Sequence, residues 1–219
     1  MKRTQQEIER SEARWPPGVA VLVAALIYIT LPPHLTLGPH WLMPLLIVAL
    51  DIPLLVSGPI RLGQSVRLRR SAAIVMFALV NAANLASLAL LVRAIVNGYP
   101  KETGLGLLYS AAAIWFTNIL VFALWYWELD RGGPQKRLSA SKREADFQFP
   151  QMLAPDCAPV GWLPNFMDYL YLGFTNATAL SPADTMPLTS WAKALMTIEA
   201  LISLLTIVLV AARAVSILG

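Results

Sequence analysis

Charge is scarce in this chain. Of 219 residues only 14% are Asp, Glu, Lys or Arg, while 57% are hydrophobic; soluble domains carry about 25% charged residues. A water-soluble fold is excluded on that ground, and so are disorder and collagen. The formal net charge of +4 does not imply nucleic acid as a partner, because the basic residues lie in a few blocks between apolar runs. Cysteine is nearly missing. Cys157 stands alone, so it makes no intramolecular disulfide and belongs to no zinc or redox spacing. The two histidines, His34 and His40, flank a short uncharged segment without acidic or thiol companions, and no metal site is expected there. HExxH, GxSxG, Walker A and GxGxxG are all lacking, so no catalytic residue and no cofactor is implied and the chain reads as a non-enzyme.

What is abundant is long apolar sequence. A hydrocarbon core about 30 Å thick takes roughly 20 apolar residues as helix, with every backbone group satisfied inside the segment. Five spans are expected: Pro16 to Thr30, Trp41 to Ile60, Ala72 to Val96, Leu105 to Trp127, and Ala194 to Leu218. The first is short, and Pro32-Pro33 closes it. A signal peptide is its alternative, since Lys2 and Arg3 precede it. The leader is also acidic (Glu7, Glu9, Glu12) and no small-x-small site follows, so a retained span is expected. On the five-span count, fourteen Lys and Arg residues fall on one side and three (Arg93, Lys101, Arg213) on the other. The positive-inside rule then places the N-terminus in the cytoplasm and the C-terminus outside. Trp125-Tyr126-Trp127 suits a membrane interface.

The fold class is therefore all-α, an integral membrane helical bundle. It divides into a cytoplasmic leader (1–15), a four-span region (16–128), a charged and then Pro-rich connection (129–165) and a C-terminal section (166–219). Within the connection, Gly132-Gly133-Pro134 signals a turn. Prolines 150, 155, 159 and 164 exclude a regular helix, leaving Phe149, Met152, Leu153 and Trp162 to lie against headgroups. Phe166 to Leu180 is apolar but roughly 20 Å long as helix, too short to cross. Two readings stand: a re-entrant pore-type helix whose loop is covered by protein or water, or an amphipathic helix lying flat in the interface.

Four stretches in this section have a familiar order: Thr175-Asn-Ala-Thr178, then Asp184-Thr-Met-Pro187-Leu-Thr189, Ala192-Lys193-Ala-Leu-Met, and Glu199-Ala-Leu-Ile-Ser-Leu-Leu. Residues 166 to 217 resemble the pore helix, filter loop and inner helix of two-helix potassium channels, with the fourth span matching the outer helix. The wider layout also resembles a group of uncharacterised bacterial membrane proteins that share this pore-like ending. The resemblance implies a homo-oligomer, a tetramer if channel-like, with monovalent cations as permeant ions. Its pore-loop candidates are Thr175, Asn176, Thr178, Ser181 and Asp184. The family's TVGYG filter is replaced by Thr178-Ala-Leu-Ser-Pro-Ala-Asp184, which has no glycine and one extra residue. Pro182 fixes φ and removes an N–H, so potassium selectivity through carbonyl rings is not expected. No glycine hinge exists between Trp191 and Leu218. The charge count also puts this loop on the cytoplasmic side, whereas channel filters sit outside.

Polar residues inside the spans are the remaining candidates. An acid in mid-membrane costs about 2.5–3.5 kcal/mol on insertion scales, so it faces a partner or water. Asp51 lies midway along the second span and Glu199 a third of the way into the fifth. Asn81 and Asn84 share a face of the third, where Thr117 and Asn118 of the fourth are expected to answer them. Two functions remain open. One is a pore-loop membrane protein, either a channel without potassium selectivity or a non-conducting relative. The other is a membrane scaffold, sensor or assembly partner whose basic 129–146 loop contacts anionic lipid.

Overall fold

The computed structural model describes residues 15–56, 63–97, 104–138, 144–180 and 184–218. Five long or medium helices come from the apolar runs: α1 (Trp15–Thr30), α2 (Leu42–Val56), α3 (Gly63–Asn97), α4 (Gly104–Leu129) and, last in the chain, α8 (Ser190–Leu218). Between α4 and α8 lie α5 (Pro134–Leu138), α6 (Pro150–Leu153) and α7 (Phe166–Ala179). Two-residue strands, β1 (Phe147–Gln148) and β2 (Met186–Pro187), pair antiparallel with Phe147 opposite Pro187. The fold is thus all-α apart from that one clip.

Among the described residues, three helical stretches are long and apolar enough to cross a membrane: Arg70–Asn97, Leu105–Gly132 and Ser190–Ala212. Helices α1 and α2, at 16 and 15 residues, are shorter. Of the expected second span, residues 57–60 lie outside the described residues. Helix α3 starts well before its apolar run and carries Arg67, Arg69 and Arg70 in its first turns. Main-chain hydrogen bonding continues through good helix formers whatever their hydropathy.

Helix α4 is the centre of the bundle, packing against α1, α3, α7 and α8, while α2 closes on α1 and α3. Its Ile114, Val121, Phe122, Ala123 and Leu124 are inaccessible, as expected for a helix that is apolar all round. Helix α8 differs. One side packs on α4 and α7, and the other exposes Ile198, Leu201, Leu204, Leu205, Ile207 and Val208. A row of that length is a liability in water and ordinary in lipid.

Candidate functional site

The site is built around α7, held at both ends. Asn165 caps its start by accepting from the Met167 N–H at 2.8 Å, and the Asp168 carboxylate accepts from the Asn165 N–H at 2.7 Å. This reciprocal box satisfies two of the donors that a helix start leaves open. Burial pushes the Asp168 carboxyl above its ordinary value, and the Asn165 bond pulls it the other way. The helix stops at Ala179, with Leu180 left-handed at φ 51°.

The first anchor joins α7 to the end of α4. Tyr169, fully buried, donates its hydroxyl to Asp130 Oδ2 at 2.5 Å. Asp130 Oδ1 accepts the Asp146 N–H at 2.8 Å. Asp146 in turn accepts from the Arg131 N–H at 3.0 Å and from the Thr189 hydroxyl at 2.9 Å, and its carbonyl accepts the Leu188 N–H. The segment before β1 is thereby tied to the C-terminus of α4 and the start of α8 at once. Arg137, nearly inaccessible, donates to the carbonyls of Trp127 (2.6 Å) and Asp130 (3.2 Å) and lies over the Tyr169 ring. A cation at these last carbonyls complements the helix dipole. The chain reverses here through Gly133 (φ 100°), where a Cβ would come within 3.0 Å of the Glu128 carbonyl. Glu128 itself pairs with Arg70 of α3 at 3.4 Å.

The second anchor lies deeper and centres on Glu199, which is wholly inaccessible. Its Oε2 accepts the Tyr126 hydroxyl of α4 at 2.5 Å and the Asn176 amide of α7 at 2.6 Å. Asn176 also donates to the Met196 carbonyl. The other oxygen, Oε1, is buried without a hydrogen-bond partner among the described residues. It borders Gly173, where a Cβ would stand 3.3 Å from Oε1, 3.2 Å from the Ile119 carbonyl oxygen and 3.5 Å from the Ala123 nitrogen. Glycine is what allows α7 this close to α4. One ring links the anchors: Phe147 of β1 stacks edge-on against both Tyr126 (5.1 Å) and Tyr169 (6.4 Å).

The sequence candidates divide. Asn176 and Glu199 come together directly, across 23 positions. Thr175 and Thr178 donate to carbonyls of their own helix, Asp184 is exposed and Ser181 lies outside the described residues. Asn118 does not answer Asn81 or Asn84. It turns to α8 instead, donating to Ser203 Oγ at 3.0 Å and the Glu199 carbonyl at 3.3 Å, while Thr117 bonds to Ala113 in its own helix. The reason is geometric, since α4 carries α8 on the side where Asn118 projects. Asn81 Oδ1, Asn84 Nδ2 and Asp51 Oδ2 have no partner among the described residues. The expected interfacial aromatics are corrected too. Tyr126 and Trp127 are buried within the protein, and Phe149 packs between Tyr169 and Trp162; Leu153 alone of its group stays well exposed.

Sequence reasoning placed Tyr126 only as an interfacial aromatic and passed over Asp130, Arg137, Asp146, Tyr169 and Gly173. Asp130, Arg137 and Asp146 sit in a charged stretch that reads as a solvated loop, and nothing local marks them as bonded to other elements. The Asn165-x-x-Asp168 spacing is the one usable signal, a cap signature ahead of an apolar run. Among the described residues no three His, Cys, Asp or Glu side chains converge in a metal-ligand set. No protein-family model, curated protein or solved structure matches the chain.

Proposed function

We propose that this is a five-span integral membrane protein of pore-loop architecture, in a bacterial inner membrane with its N-terminus cytoplasmic. The chains assemble as a homo-oligomer whose α7 and following loop surround a path for monovalent cations. The observation that carries this reading is α7. It is a capped helix of 14 residues, too short to cross, wedged between α4 and α8 and fixed to both by buried carboxylates. Outer helix, short helix and inner helix in one packed unit is the layout a re-entrant hairpin requires. The hairpin is re-entrant on this reading, and α1 and α2 cross by virtue of their flanking residues. Permeation relies on Thr175, Thr178, Ser181 and Asp184 instead of carbonyl rings, because the loop lacks glycine and contains Pro182.

One observation favours a second reading, a non-conducting scaffold, sensor or assembly partner. Asn176 and Glu199 are buried and bonded to each other inside one chain, so neither lines a shared axis.

Two measurements test the proposal. In a Cys157→Ser background, cysteines at 168 and 184 label from the same membrane face; labelling from opposite faces overturns the hairpin. Reconstituted protein passes sodium and potassium with similar ease. A strong potassium preference overturns the selectivity argument, and no flux from a confirmed oligomer selects the scaffold reading.

A further inference from the structure

Glu199 Oε1 is one of the buried polar atoms with no hydrogen-bond partner among the described residues. Both donors that reach the carboxyl, the Tyr126 hydroxyl and the Asn176 amide, act on Oε2. Oε1 receives none. A Cβ at Gly173 would come within 3.3 Å of Oε1 and 3.2 Å of the Ile119 carbonyl oxygen, an acceptor inside helix α4 that cannot donate. With both donors on Oε2 and none on Oε1, the carboxyl has an open place for a proton on Oε1. Among the described residues no lysine or arginine forms an ion pair with Glu199. Nor does the Gly173 notch suit a hard metal cation, which takes about six or more oxygen ligands. Oε2 already accepts two donors, and the Ile119 carbonyl belongs to helix α4.

Access is visible on the other side of Asn176. That residue borders an open groove of about 380 Å³ along α8, lined also by Lys193, Met196, Thr197, Ala200 and Leu204. Asn176 therefore touches both Glu199 and the groove.

We propose that Glu199 is a proton-binding site inside the bundle, with the proton on Oε1 at the Gly173 notch and exchange through the groove that Asn176 borders. Binding converts the carboxylate to a carboxylic acid with its O–H on Oε1. Release returns the proton to water in the groove, needs no co-reactant, and leaves a buried carboxylate whose Oε1 has no donor. Of the other titratable groups on the packed elements, Tyr171 of α7 is exposed and most of the rest are engaged elsewhere. Tyr126 donates to Glu199; Tyr169 and Asp130 pair with each other; Asp146 holds Thr189; Asp168 serves the α7 cap. Arg137 covers Tyr169, Glu128 pairs with Arg70, and Lys193 lies exposed at the groove. This goes beyond the pore-loop reading, since the bound ion is a proton held within one chain whether or not the oligomer conducts.

Infrared difference spectra of the purified full chain, taken between acidic and alkaline buffers, test it. The wild type gives a protonated-carboxyl C=O band that shifts in heavy water and disappears on alkalinisation. Glu199→Gln abolishes that band. Tyr126→Phe, which removes one bond to Oε2, displaces its frequency, so the proposal stays testable even if Glu199→Gln fails to fold. Identical carboxyl bands in wild type and Glu199→Gln at every pH overturn it. So does a band that forms only after sodium and potassium are replaced by choline, which identifies a metal-cation site.

Discussion

Gly173→Ala is the sharpest test of how α7 is seated. The added Cβ meets the Ile119 carbonyl at 3.2 Å, Glu199 Oε1 at 3.3 Å and the Ala123 nitrogen at 3.5 Å. Two of these atoms belong to the main chain of α4 and cannot move singly. The third belongs to a carboxyl held by two hydrogen bonds. Overpacking of this kind costs about 1–3 kcal/mol, whereas Gly to Ala within a helix regains about 1 kcal/mol. Displacing Glu199 adds a fraction of the roughly 1.5–3 kcal/mol that a hydrogen bond to a charged group contributes. The net expectation is a loss of about 1–2 kcal/mol. For a chain of this size that lowers Tm by about 2–8 °C. Thermal unfolding in detergent, followed by far-UV circular dichroism, reads the shift. Pairing the change with Glu199→Asp, which shortens the acid by one methylene, should recover part of the loss, with a coupling of about 0.5 kcal/mol or more. A Gly173→Ala protein as stable as wild type, with no coupling to Glu199→Asp, would refute the close packing of α7 on α4.

Three further outcomes are expected. Tyr169→Phe leaves Asp130 Oδ2 without its buried donor and costs about 1.5–3 kcal/mol in a denaturant titration; no change would mean that the first anchor does not form. Burial holds the Asp168 carboxyl above its ordinary value, so the folded chain binds that proton more readily than the unfolded one. The stability it contributes is present at acid pH and is lost as pH rises from the ordinary value through the raised one. Asp168→Asn should flatten that decline, and a steeper decline in the variant would contradict the sign. Reporter fusions after Gly98 and Gly219 should read external, and one after Arg143 cytoplasmic; a cytoplasmic reading at Gly219 with an external one at Arg143 means the spans before Leu105 were miscounted.

The membrane class and the long helices were legible in the sequence because each depends on residues close together in the chain. A run such as Leu105 to Trp127 satisfies its own backbone as helix whatever surrounds it, and α4 occupies Gly104–Leu129. The expected short helix over 166–180 corresponds to α7 at Phe166–Ala179, since Asn165 and Asp168 fix its start from within four residues. Helix ends in charged sequence were less legible. Hydropathy began the third span at Ala72, and main-chain bonding carries α3 back to Gly63.

Partner choice was not legible. Helical periodicity shows that Asn118 and Asn176 each belong to some face, but not which helix will cover it. Only packing brings Asn118 to Ser203 across 85 positions and Tyr126 to Glu199 across 73. The same limit hid Asp130, Arg137 and Asp146, whose local sequence is that of a solvated loop. Asp130 and Arg137 are buried and Asp146 half-buried because the connection folds back on the end of α4, where open carbonyls attract a cation and where a buried carboxylate accepts the Tyr169 hydroxyl and the Asp146 N–H. Backbone satisfaction is local, so the sequence by itself determined the helices. Side-chain satisfaction of buried charge is not local, so the tertiary structure alone decided which acids are held, by which donors, and that Glu199 keeps one oxygen unclaimed.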